Sequence, residues 1–66
     1  MIRVNGKERE WREGMTVMSL LHELQVHPES TVVELNRNQI ILRSEYERSL
    51  IRDGDRVEII SYTGRR

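Results

Sequence analysis

The chain has no cysteine, which removes a disulfide framework and any thiolate metal site, so the fold must hold by packing alone. Neither sign of charge prevails: eleven basic and eleven acidic residues cancel over 66 positions. Arg65 and Arg66 are two of the basic ones, so residues 1–64 carry nine against eleven, a balance of −2. Opposite charges alternate, as in Lys7-Glu8-Arg9-Glu10, and no face collects the positive field that phosphate neutralisation demands. Nucleic acid is therefore not an expected partner. The longest apolar run is Ile40-Ile41-Leu42, far short of a membrane span or a signal-peptide core, and a cytoplasmic location is expected. The glycines stand singly at positions 6, 14, 54 and 64, which excludes a phosphate-cradling loop. Proline occurs once, at Pro28.

What the chain does have is aliphatic bulk. Valine, isoleucine and leucine contribute six residues each, 18 of 66 positions, enough for the core of one small domain and too much for a disordered chain. Met1 to Asn5 alternates apolar and polar residues, and Asn5-Gly6 is the pair that accepts left-handed backbone in a type I′ hairpin turn. Lys7 to Arg12, polar apart from Trp11, suits a short edge strand guarded by charges. Val17, Leu20, Leu21 and Leu24 fall at i, i+3, i+4 and i+7, one face of a helix. Thr16 is its N-cap, and Met15 and Leu20 occupy the two positions of a hydrophobic staple. Pro28 disfavours helical geometry at His27, which places the helix end near Gln25 or Val26.

Thr31 to Asn36 is β-branched and leads into a turn at Asn36-Arg37-Asn38. Gln39 to Leu42 is a fourth strand, Ser44 to Arg48 has the makings of one helical turn, and Asp53-Gly54-Asp55 is a turn. Arg56 to Tyr62 is the last strand, with Val57, Ile59 and Ser61 on one face and Glu58, Ile60 and Tyr62 on the other. This order predicts a two-layer α+β domain over residues 1–62, a mixed four- to five-stranded sheet with one main helix packed on one face. If the first and last strands are central neighbours, it is the ubiquitin-like β-grasp. The expected core is Ile2, Val4, Val17, Leu20, Leu21, Leu24, Val33, Leu35, Val57 and Ile59. Residues 63–66, without apolar anchors, are expected to form a flexible tail.

Catalytic chemistry is scarce. His22-Glu23 with His27 misses the H-E-x-x-H metal motif by one residue, and i+5 turns the second imidazole about 140° away on a helix. Two surface histidines and no metal site are expected. Asp53-Gly54-Asp55 carries two carboxylates around a glycine, a pattern of turns before cation sites. Ser19 and His22 share a face with Glu23 only through helical spacing. No catalytic residue and no cofactor is assigned.

The sequence does resemble a family of small proteins. Val4-Asn5-Gly6-Lys7-Glu8, Gly14-Met15-Thr16-Val17 leading to Leu20-Leu21, Val33 to Asn38, Arg43-Ser44-Glu45-Tyr46 and Asp53-Gly54-Asp55-Arg56-Val57-Glu58-Ile59 look like the ThiS family of sulfur carriers, in order and over almost the whole chain. The small subunit of molybdopterin synthase, usually longer, is the second choice within the superfamily. The resemblance implies a carrier rather than an enzyme. Its C-terminal carboxylate would be adenylated by an E1-like, ThiF-like adenylyltransferase, converted to a thiocarboxylate, and used by a ThiG-like thiazole synthase in thiamin biosynthesis. A glycine end suits this, because a Cβ would obstruct the carboxylate in a narrow active site.

Here the chain departs from the family, which ends in two glycines: Gly64 starts the expected run, and Arg65 and Arg66 stand where the last glycines belong. Leu42 also replaces the proline usual before the arginine at Arg43. The natural protein ends in glycine and the arginines are an addition, or a protease exposes Gly64, or the chain keeps the fold as a ubiquitin-like interaction module without sulfur transfer. An RNA-binding β-grasp domain using Arg65 and Arg66 is a weaker alternative. The tail residues Gly64, Arg65 and Arg66 are thus the candidate site of covalent modification. Ile60 and Tyr62, on the sheet face that a single helix leaves open, are the candidate partner-binding surface, and a monomer is expected when free.

Overall fold

The computed structural model describes residues 1–62. Its first hairpin follows from local chemistry. Asn5 (φ 49°) and Gly6 (φ 84°) both take left-handed backbone, as a type I′ turn between right-twisting strands requires. They join β1 (Ile2–Val4) to β2 (Lys7–Arg9), with Val4 opposite Lys7. Sequence pattern carries this second strand to Arg12, but it stops at Arg9. The cause is Trp11, whose indole N–H donates to the Ile51 carbonyl at 2.7 Å while the ring packs against the core, drawing the chain off the sheet edge.

Helix α1 (Val17–Glu23) is capped as its sequence asks. The Thr16 hydroxyl accepts from the Ser19 amide at 3.1 Å, the Ser19 hydroxyl accepts from the Thr16 amide at 3.0 Å, and Met15 and Leu20 are both buried. The helix ends a few residues earlier than Pro28 alone dictates. Gln25 turns left-handed (φ 59°), its amide donates to the His22 carbonyl at 3.1 Å, and the Val26 amide donates to the Leu21 carbonyl at 3.0 Å. That is a Schellman closure built on glutamine in place of glycine.

A 3-10 turn at Pro28–Ser30 leads into β3 (Thr31–Leu35), which turns through Asn36 and Arg37 into β4 (Gln39–Ile41). The helical turn expected at Ser44 to Arg48 is a 3-10 turn at Arg43–Glu45. It delivers Tyr46 into the core, where its hydroxyl donates to the Thr31 carbonyl at 3.2 Å. β5 (Arg56–Ser61) closes a five-stranded sheet of order β2-β1-β5-β3-β4. β1 and β5 are parallel central neighbours, and the other pairs are antiparallel.

This is the mixed-sheet, one-helix β-grasp. Ile2, Val4, Val33, Leu35 and Val57 from the sheet meet Val17, Leu20 and Leu21 from the helix, all buried. Leu24 and Ile59, expected in the core, are only half-buried at its margin. Met15, Ile41, Tyr46 and Ile51 complete it; the last two come from the long connection before β5, which has no periodicity to read.

Candidate functional site

Every site residue assigned from sequence lies on β5 or after it. That strand is central, so it is held along both sides. The pattern of its partners fixes which way each residue faces: the Asn36 amide donates to the Arg56 carbonyl at 2.8 Å and the Tyr62 amide to the Ser30 carbonyl at 2.9 Å, so even-numbered backbone groups face β3. Odd-numbered ones face β1, from which the Asn5 amide donates to the Val57 carbonyl at 2.9 Å.

The side chains alternate independently, and with Val57 buried under the helix, Glu58 and Ile60 occupy the open face of the sheet. Ile60 is 56% exposed and Tyr62 61%. Ile60 stands directly opposite Val32 in β3, and Ile40 (57% exposed) and Leu42 (60%) extend the same apolar surface across β4. A shallow groove of about 310 Å³ runs between Val32, Ile40, Leu42, Arg43 and Tyr62, floored by Thr31, Ile41 and Tyr46. Tyr62 is exposed yet anchored, because its hydroxyl donates to the Glu29 carbonyl at 2.9 Å and its amide is held by Ser30. Beside this surface Glu34 and Glu58 are directly opposed across the strands, and no cation lies within salt-bridge distance of either among the described residues.

Two asparagines that sequence reasoning assigned only to turns reach β5 with their side chains. Asn5 Oδ1 accepts from the Ile59 amide at 2.7 Å and Asn5 Nδ2 donates to the Ile59 carbonyl at 3.2 Å. Asn36 Oδ1 accepts from the Arg56 amide at 3.0 Å and its Nδ2 donates to Asp55 Oδ1 at 3.2 Å. Turn propensity alone carries no signal of these contacts. Val32, Ile40 and Leu42 were equally missed as surface, although each alternates with a buried or core-lining neighbour and that alternation was available.

His22 and His27 are exposed. Among the described residues no three His, Asp or Glu side chains cluster as metal ligands, and no helix is long and apolar enough to cross a membrane. Asp53 pairs with the Met1 ammonium at 2.5 Å, and Asp55 accepts from the Arg52 amide at 2.8 Å, so that loop uses its carboxylates to close the turn. Gly64, Arg65 and Arg66, and the flexible tail expected over residues 63–66, lie outside the described residues.

A protein-family model described as the ThiS family matches residues 2–64. The crystal structure of a thiamine biosynthesis protein (ThiS) from Geobacter metallireducens superposes with a TM-score of 0.77 at 32% identity, covering 98% of this chain and 97% of that one. An NMR solution structure of a thiamine biosynthesis protein from the same organism gives 0.78 at 32% identity, over 98% and 86% of the two chains. A thiazole synthase from Paramagnetospirillum magneticum is 39% identical over 61 residues, which are 92% of this chain and 18% of that protein. The chain therefore spans less than a fifth of the length of that relative.

Proposed function

The chain belongs to the ThiS family, and from that premise we propose that it is a sulfur carrier of thiamin (thiazole) biosynthesis, a reagent rather than a catalyst. The observation that carries this reading is likeness along nearly the whole length, in sequence and in fold, to the ThiS protein of Geobacter metallireducens. In the proposed cycle a ThiF-like adenylyltransferase activates the terminal carboxylate. Adenylation by ATP releases pyrophosphate and replaces a poor leaving group with AMP, and a sulfide-level sulfur nucleophile then attacks the acyl carbon, expelling AMP and leaving a thiocarboxylate. A ThiG-like thiazole synthase takes that sulfur. The likeness of this chain to a segment of a thiazole synthase supports such a partner, since a carrier-like sequence there shares a polypeptide with the rest of a thiazole-forming protein.

The domain's own contribution is to dock and to present. Ile60 and Tyr62, with Val32, Ile40 and Leu42, offer an apolar surface beside the origin of the tail. The Glu34–Glu58 pair adds negative charge that a basic partner residue would neutralise. Incubation of the Arg65→Gly, Arg66→Gly form with a ThiF-like enzyme, ATP and a sulfur source should raise the intact mass by the oxygen-to-sulfur difference. No change of mass with an active enzyme would reject the carrier role. One observation favours a second reading, a ubiquitin-like interaction module without sulfur transfer: Arg65 and Arg66 stand at the positions where the family pattern has glycine.

A further inference from the structure

We infer that Asn5 is a positioning residue for the end of β5: its carboxamide holds the strand at Ile59, where β1 no longer pairs with it, and so sets how Ile60 and Tyr62 are presented. The functional consequence rests on the carrier reading above, and the structural part rests on geometry alone. β1 ends at Val4, and the Asn5 amide makes its last backbone bond to β5, at Val57. The chain then turns away through Gly6. The amide and carbonyl of Ile59 face the side that β1 has just left, and the Asn5 side chain meets both, at 2.7 and 3.2 Å. One carboxamide thus supplies the rung that a continuing strand would have made.

The hairpin does not ask for this. Glycine and aspartate also accept left-handed backbone at the first position of such a turn. Glycine, however, would leave Ile59 without either partner, and a carboxylate offers acceptors only. The choice of asparagine is accounted for by Ile59, not by the turn. With the clamp in place β5 is held from both sides as far as Ile59, and from the β3 side alone at Ile60 and Tyr62. A strand held along one edge can shift at Ile60 and Tyr62 once the Ile59 rung is lost, and a displacement on the order of 1 Å in a docked surface can cost roughly a hundredfold in rate.

The test compares Asn5→Gly and Asn5→Asp with the unaltered side chain, in the full chain carrying Arg65→Gly and Arg66→Gly so that the terminus follows the family pattern. Asn5→Gly should speed hydrogen exchange of the Ile59 amide about tenfold while the amides of Leu21 and Val33 keep their protection. Residual dipolar couplings of the amides of Ile60, Ser61 and Tyr62 should shift with it. In ATP–pyrophosphate exchange with a ThiF-like enzyme, kcat should fall roughly five- to tenfold while KM for the carrier stays within about twofold, because Ile60 is still held opposite Val32. Asn5→Asp, which keeps the acceptor for the Ile59 amide, should recover part of both losses. Unchanged exchange at Ile59 overturns the clamp. A rise in exchange at all amides together, or a KM effect without a kcat effect, shows a merely structural residue and overturns the positioning role. If the glycine-ended chain with Asn5 intact supports no pyrophosphate exchange, the carrier reading fails and takes the functional consequence with it, while the backbone measurements still decide the clamp.

Discussion

At the scale of single residues, the open sheet face sets a like-charge pair beside exposed apolar side chains. Glu34 and Glu58 are direct cross-strand neighbours of like charge, an arrangement that destabilises a sheet. Glu58→Gln should therefore raise the free energy of unfolding by a few tenths of a kcal/mol, read from urea denaturation. If the pair serves to receive a basic partner residue, the same change should weaken partner binding and flatten its salt dependence. A loss of stability would show instead that the two carboxylates are already neutralised locally. Ile60 makes the complementary case. It is exposed, so Ile60→Asp should cost no more than about 1 kcal/mol of stability, yet it places a charge in the middle of the apolar surface. Affinity for a ThiF-like or ThiG-like partner, measured by calorimetry, should drop; unchanged affinity in a folded variant removes Ile60 from the docking surface.

At the scale of elements, the helix shows where the sequence is sufficient and where it is not. Its start is legible, because Thr16, Met15 and Leu20 are local signals acting over one turn. Its end is not, because Gln25 adopts a left-handed backbone that glutamine does not favour. Such a conformation costs an L-residue roughly 1–2 kcal/mol, against roughly 0.5–1 kcal/mol of added chain entropy for glycine. Gln25→Gly should thus stabilise the protein by about 0.5–1 kcal/mol, seen as a higher melting temperature, and a lower one would mean that the Gln25 side chain contributes a contact outweighing the strain. The face of the helix was legible too. Leu21 is fully buried between helix and sheet, and Leu21→Ala should cost about 2–5 kcal/mol; a cost below about 0.5 kcal/mol, typical of surface changes, would remove it from the core. Strand order came from the family resemblance, since alternation identifies a strand but not its neighbour. Tyr46, Ile51 and Trp11 were out of reach for a related reason. Their burial depends on contacts far along the chain, such as Trp11 to Ile51, which no local period encodes. The exposure of Ile60 and Tyr62 is legible from the alternation along β5, whereas their adjacency to Val32, Ile40 and Leu42 depends on the strand order.

At the scale of the whole molecule, a rigid domain and a reactive end have opposite needs. The body buries its apolar groups under one helix and clamps β5 with two asparagine side chains, whereas the proposed carrier role would require the end to enter an enzyme that accepts a carboxylate through a narrow passage. On the carrier reading, a terminal Arg66 would bring a Cβ and a charged guanidinium beside the carboxylate to be adenylated. The chain with that end should be thiocarboxylated far more slowly than the Arg65→Gly, Arg66→Gly form, and the two should melt at the same temperature, because the buried core is built from residues between Ile2 and Val57. Intact-mass measurement over a time course, with a ThiF-like enzyme, ATP and a sulfur source, separates the outcomes. Equal rates would refute the steric argument and leave the arginines as tolerated neighbours of a working terminus. Reaction of the glycine form alone would place the obstacle at the last two positions and leave the domain itself competent as a carrier. Failure of both forms, with the fold intact and the enzyme active on another carrier, would move the weight to the interaction-module reading, in which the apolar face around Ile60 is the functional part and the terminus is not.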